Sequence, residues 1–252
     1  MTLKKQLLGA TLTLIIAGVY TTTWASPGHL PAWSYTAPTG PENWGDLHGE
    51  YALCSSGKVQ SPIDINDATV TALAPLVFSY QPSAATVLNN GHTIQLSPTD
   101  SGSLTLASGN YNFVQMHFHT PSEESIQGRT YPMDAHLVHR NAAGELAVVA
   151  LLFEEGTHNP ALEVILAAMP TVAGDVVNLE SIDIAAFLPA SHHYYAYMGS
   201  LTTPPCAEGV RWQVLSSVVQ LSSAQLRAFQ ALYPMNARPV QPLNGRSVHV
   251  GS

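Results

Sequence analysis

The sequence predicts a single domain of the α+β kind, mostly β with short helices, built on one large and mostly antiparallel sheet. Three observations carry that expectation. The chain has 252 residues, 46% of them hydrophobic and 10% charged, enough for one sizeable core and too apolar for a disordered or coiled-coil chain. Its 18 Pro and 18 Gly cut it into short runs, as a strand-rich fold requires. No internal repeat, low-complexity tract or linker divides it.

The elements follow in chain order. Lys4-Lys5 and the largely apolar, uncharged run Leu7 to Tyr20 have the form of a secretory leader, too short to span a membrane comfortably. Thr23-Trp24-Ala25 places small residues where a signal peptidase reads, so residues 1–25 are a signal peptide and 26–252 the mature domain. Residues 26–70 read as coil with short helical turns. Strands are expected at Leu76–Tyr80, Ile94–Leu96, Leu104–Leu106, Tyr111–His119, His136–Arg140, Leu146–Phe153 and Val210–Val219, with turns such as Asn89-Asn90-Gly91 between them. Pro160–Met169 carries apolar residues at helical spacing, and Ser222 or Ser223 can cap a helix running to about Leu232.

Charge and cysteine content narrow the function. Loss of Lys4 and Lys5 with the leader moves the formal net charge from −8 to −10. Such a surface repels nucleic acid and anionic membrane, and no basic run offsets it. Cys54 and Cys206 are the chain's 2 cysteines. In an oxidising compartment an even pair defaults to a disulfide. Closing about 150 residues would stabilise the fold by roughly 4–5 kcal/mol in the chain-entropy model. The expected location is therefore periplasmic or secreted.

The stretch Gln115-Met116-His117-Phe118-His119 holds the chemistry. With 11 His in the chain, chance alone supplies ~0.5 such His-x-His pairs, so the pair is weak evidence until its context is read. In a strand, side chains alternate faces. Gln115, His117 and His119 then share one face, and Val114, Met116 and Phe118 share the other, apolar one. Two imidazoles side by side suit zinc, which in catalytic sites takes three protein ligands and leaves one position open. The segment Asp134–His139 supplies the third. Asp134, His136 and Val138 share a face; Ala135, Leu137 and His139 share the opposite one. Pairing of the two strands through the turn around Gly128 brings His136 to the metal, makes Asp134 a natural acceptor for its ring, and leaves His139 structural.

The motifs, in order, are Trp33-Ser34-Tyr35, Gly40-Pro41-Glu42-Asn43-Trp44, Gln60-Ser61-Pro62-Ile63-Asp64-Ile65, Asn90-Gly91-His92, Gln115–His119, Pro121-Ser122-Glu123, His136–His139, Gly199–Cys206 and Arg238–Pro242. Over about residues 33–243 the chain resembles the alpha-class carbonic anhydrases of the bacterial, exported kind. The resemblance implies a twisted, largely antiparallel sheet of about ten strands with zinc at the base of a conical cleft. It implies reversible hydration of CO₂ by a zinc-bound hydroxide, with His117, His119 and His136 as the Zn²⁺ ligands. Thr202 takes the place of the threonine that orients the hydroxide, and Glu123 that of the glutamate accepting the threonine's proton. Val138, Val148, Leu201, Val210 and Trp212 match the apolar CO₂ pocket, and Thr203 the bicarbonate contact. His92 matches the proton-shuttle histidine, with Asn90 and Gln95 ordering relay waters. Gln115 matches the amide partner of the first ligand, and a main-chain carbonyl near Asn236 the partner of the second.

Two residues depart from the family pattern. Asp134 stands where glutamate is common, one methylene shorter, which implies a longer or water-mediated bond to His136. Glu124 stands where histidine is usual and adds a charge beside an acidic surround. The departures imply weaker metal retention or a raised pKa for the metal-bound water. Two other readings compete. A non-catalytic, carbonic-anhydrase-related binding protein would have lost zinc histidines that are all present here. A cupin-type Mn or Fe enzyme would share the His-x-His spacing to Glu123, but its glycine and later histidine are missing. The expected partners are CO₂ and bicarbonate, with a homodimer as in many exported bacterial members, and no membrane after leader cleavage.

Overall fold

Alternation in two neighbouring strands, interrupted by a register shift between Val138 and His139, sets the centre of the molecule. Gly109–His119 pairs antiparallel with Met133–Arg140, in a register that places His117 opposite His136, His119 opposite Asp134 and Gln115 opposite Val138. The computed structural model describes residues 30–251. The leader read at residues 1–25 lies outside them. From Pro31 onward the chain forms one unit.

Among the described residues the main sheet has 13 strands. Its continuous path runs Val176–Ile182, Ser83–Asn89, Ile94–Pro98, Gly109–His119, Met133–Arg140, Leu146–Glu155, Glu208–Leu215, Tyr194–Ser200, His249–Gly251, Thr69–Thr71. Most pairings are antiparallel, as expected. The sheet is nevertheless mixed: Leu146–Glu155 pairs parallel with Glu208–Leu215 and with Val219–Leu221, and His249–Gly251 pairs parallel with Thr69–Thr71. Parallel neighbours are joined by long crossovers, which turn signals do not mark. The Gly128 turn also differs from expectation. It closes a small hairpin of Ser125–Ile126 with Arg129–Thr130, which joins Asp64–Ile65 in a separate three-stranded sheet. The two histidine strands therefore meet across a longer excursion.

Alternation gives the sheet two cores. Met116, Phe118, Ala135, Leu137, Val149 and Leu151 pack on one side, against Leu162 and Ile165 of one helix and Leu226 and Phe229 of another. Each such large apolar side chain contributes roughly 1.5–3 kcal/mol by leaving water. Val138, Val148, Ala150, Leu152, Val210, Trp212 and Val214 pack on the other side. The helices are Pro160–Ala167, capped by Asn159, and Ser223–Gln230, where Ser222 and Gln225 form a capping box. A third cluster joins Trp44 and Tyr51 to the Cys54–Cys206 disulfide, which links residues 152 apart in sequence.

Candidate metal centre

His117, His119 and His136 converge, with one ligand atom of each within 4.8 Å of the others. Strand parity brings them together; outward hydrogen bonds fix how each ring is turned. His117 Nδ1 bonds Gln115 Oε1 at 2.9 Å. His119 Nδ1 donates to the Asn236 main-chain oxygen at 2.7 Å. His136 Nε2 bonds Glu124 Oε2 at 3.1 Å. Each ring is held by one nitrogen, which leaves His117 Nε2, His119 Nε2 and His136 Nδ1 free to face one another. His119 Nε2 is buried without a hydrogen-bond partner, and so is Glu123 Oε2, 3.6 Å away and 3.9 Å from His136 Nδ1. Orphaned buried nitrogens costing about 1–3 kcal/mol each are tolerated where a ligand answers them. The donor set is three imidazoles with a carboxylate behind, and it fits a divalent cation of zinc's chemistry.

The electrostatics differ between the rings. Burial, then the neighbouring His119 and His136, push the His117 imidazole well below its usual pKa, so it stays in the neutral, ligating form. Burial also opposes charge on His136, but Asp134 and Glu124 outweigh it and hold that imidazole well above its usual value. Burial raises the Glu124 carboxyl.

The apolar residues expected around the cleft lie beside the histidines. Val138 is paired with Val148, and Val148 with Trp212, in a cross-sheet row adjacent to the row of His117 and His136. Val210 and the half-buried Leu201 join them in the same cluster. The Trp212 ring lies edge-on to His136, 4.9 Å between centroids, and its Nε1 donates to the Ser200 carbonyl at 3.0 Å. Thr202 and Thr203 follow the strand Tyr194–Ser200 in a turn closed by the Cys206 N–H on the Thr203 carbonyl at 2.9 Å. The disulfide pins that turn to the segment around Cys54. Glu123 Oε1 accepts the Arg238 N–H at 2.7 Å. No hydrogen bond joins Thr202 to Glu123 among the described residues, so that expected link is not formed here.

His92 sits in the turn between Ser83–Asn89 and Ile94–Pro98. Gly91 takes φ +85°, a conformation open to glycine, and Asn90 Oδ1 accepts the His92 and Thr93 N–H groups at 2.9 and 2.8 Å. Asn90 thus shapes the turn. The His92 ring is half-buried and stacks on Trp33 at 3.7 Å, and burial lowers its pKa. It is less solvated than a free loop histidine. Gln95 pairs across the sheet with His117 and donates to Ser97 Oγ at 2.9 Å. His139 points to the opposite core, fully buried, with its Nε2 bonded to the Tyr80 hydroxyl at 2.6 Å.

Asp134 stands off from His136, as its shorter side chain implies. Asp134 Oδ2 lies 3.4 Å from His136 Nε2 but accepts the Glu123 N–H at 2.7 Å. Glu124 makes the shorter contact with the ring and Asp134 the longer one. Three supports were not legible as such. The Asn236 side chain donates to the His92 and Phe118 carbonyls and accepts from Thr120 N–H. Arg238 donates to Gln60 Oε1 and to the Ser61 and Cys54 carbonyls. Tyr197 reaches Ser61 Oγ at 3.2 Å. The Arg238–Pro242 motif was the one local signal for any of them.

Comparison with known proteins decides the family. The family model described as eukaryotic-type carbonic anhydrase matches residues 39–252. The chain belongs to the alpha carbonic anhydrase family. It is 46% identical over 220 residues to a carbonic anhydrase of Klebsiella pneumoniae, covering 86% of this chain and 89% of that one. It is 44% identical to one from Neisseria gonorrhoeae, covering 89% and 90%. Among solved structures, the alpha-carbonic anhydrase of Thermovibrio ammonificans in complex with the inhibitor sulfanilamide superposes with a TM-score of 0.85 at 44% identity, over 86% of this chain and 98% of that one. Dioscorin complexed with ascorbate also shares the fold, with a TM-score of 0.82 at 33% identity, over 87% and 98%. Membership in this family removes the cupin reading, and the chain is an enzyme of the carbonic anhydrase type.

Proposed function

We propose that the chain catalyses the reversible hydration of CO₂ to bicarbonate and a proton with zinc held by His117, His119 and His136. One observation carries the reading: each of the three rings is anchored outward through one nitrogen, and one ligand atom of each lies within 4.8 Å of the others. A bound zinc ion would supply Lewis acidity and bring the pKa of a coordinated water to about 7, a value for which carbonic anhydrase is itself the reference case.

This chain's residues do the rest. Gln115, Asn236 and Glu124 fix the tautomer and tilt of the three imidazoles. Val138, Val148, Leu201, Val210 and Trp212 offer an apolar wall, suited to CO₂, which has no net dipole. Thr202 would orient the attacking oxygen; Glu123 Oε2 has no hydrogen-bond partner in this structure and, as a carboxylate oxygen, can only accept, so a Thr202–Glu123 bond would have to form in the loaded site. Thr203 contacts the product. His92 carries the proton out, and its half-buried place in the turn favours its neutral form. Export to the periplasm or medium fits the leader read at residues 1–25 and the disulfide.

Zinc content, together with CO₂ hydration measured with and without a chelator, tests the reading. Zinc at one per chain and chelator-sensitive hydration support it. A chain that binds zinc but does not hydrate CO₂ would be a binding protein of the same family instead. His92→Ala should slow turnover far more than attack on CO₂, with partial rescue by imidazole buffer; an unchanged turnover removes His92 from the proton path.

A further inference from the structure

Two carboxylates stand behind His136, and they make different contacts. Glu124, Asp134 and His136 are all buried, at 0%, 0% and 1% exposure. Glu124 Oε2 bonds His136 Nε2 at 3.1 Å. Asp134 Oδ2 is at 3.4 Å from the same nitrogen, but at 2.7 Å from the Glu123 N–H, and Asp134 Oδ1 has no partner. Hydrogen-bond strength falls steeply over that range and with poor alignment. The shorter side chain at 134 is thus committed to the backbone of Glu123, and the ring is left to Glu124.

The backbone around Glu124 is pinned on both sides. Its carbonyl accepts Ser122 Oγ at 2.8 Å, and that hydroxyl accepts the Tyr131 N–H at 2.9 Å. The next residue, Ser125, pairs with Asp64 in the small sheet. Tyr197 Oη approaches Glu124 Oε1 at 3.5 Å and bonds Ser61 Oγ at 3.2 Å. Adjacent glutamates therefore flank one imidazole: Glu123 faces its Nδ1 side and Glu124 holds its Nε2.

We propose that Glu124 is the residue that positions His136 for the metal, and that Asp134 positions Glu123 instead. The inference rests on the zinc-site reading above. The two departures expected to weaken the site thereby compensate each other. A carboxylate on the outer nitrogen fixes the ring and raises its basicity as a ligand, and losing such a partner typically costs about 10–100-fold in metal affinity or activity.

The test is zinc affinity by chelator competition, with the Co²⁺-substituted absorption spectrum as a second readout of ligand geometry. The variants are Glu124→Ala, Asp134→Asn, and Glu124→Ala combined with Asp134→Glu. Glu124→Ala should lose about 10–100-fold in affinity and alter the cobalt spectrum. Asp134→Asn should lose only a few-fold. The combined variant should regain most of the loss, because a glutamate at 134 has the extra methylene needed to reach Nε2. Glu124→Gln keeps the size and one acceptor oxygen, and its intermediate loss reads the same contact if the alanine variant does not fold. Asp134→Asn costing as much as Glu124→Ala, or Glu124→Ala and Glu124→Gln leaving affinity unchanged, overturns the proposal. A wild-type chain that takes no zinc overturns the metal-site reading itself.

Discussion

His139 makes the stability of this protein depend on pH in a way that can be isolated. The residue is fully buried in the core opposite the metal centre, and its Nε2 meets the Tyr80 hydroxyl at 2.6 Å. Its Nδ1 has no partner, and burial brings its pKa from 6.5 down to about 4. The folded state therefore resists a proton that the unfolded chain accepts readily. Above pH 6.5 both states are neutral and the group has no effect. As pH falls from 6.5 toward 4 the unfolded chain gains the proton first, so stability declines; below 4 the folded state also takes it and the decline stops. A gap of that size is worth about 3 kcal/mol at roughly 1.4 kcal/mol per pKa unit. His139→Gln keeps a polar group for Tyr80 and removes the titration. Denaturant unfolding of both proteins at pH 7 and pH 4, with the disulfide intact, should show the wild type losing about 3 kcal/mol more than the variant over that interval. Equal losses would refute the reasoning, because everything else that titrates, the metal site included, is common to both.

Other perturbations test the framework around the site. A Cβ at Gly199 would lie 2.0 Å from Ser61 Oγ and 2.9 Å from Trp212 Cδ1, so Gly199→Ala should cost about 1–3 kcal/mol in unfolding experiments; an unchanged melting temperature contradicts that crowding. Arg238→Met leaves Gln60 Oε1 and the Ser61 and Cys54 carbonyls without their donor and should destabilise by about 3–5 kcal/mol, with Arg238→Lys recovering part of it. Replacing Cys54 and Cys206 together by serine should remove up to ~4–5 kcal/mol of stability, read by urea unfolding without reductant.

Strand parity was enough to place the working face. The alternation of Gln115 to His119 and of Asp134 to His139 fixed which histidines meet and sent His139 to the other core, because side-chain direction in a strand is a local property. The helix after Asn159 and the one capped by Ser222 were legible for the same reason. Several strands were not. Ser83–Asn89 is built partly of small residues, Val176–Ile182 is a mostly exposed edge strand without alternation, and Thr69–Thr71 and His249–Gly251 are three residues each. Their extended form comes from pairing with distant chain, which no local window records. The choice of Glu124 over Asp134 was hidden for a related reason. It depends on a contest for one oxygen between the Glu123 amide and an imidazole, and only the folded distances settle such contests.

The pairing of His117 with His136 has a consequence for quality control. A slip of one residue between those two strands would exchange the faces of every side chain, turning Met116 and Phe118 into the cleft and burying His117 and His119 in oil. The mis-set chain could still be compact, but it could not gather three imidazoles. On the proposed zinc reading, metal uptake would act as a proofreading signal for strand register, and zinc stoichiometry in a preparation would count the molecules whose sheet closed correctly.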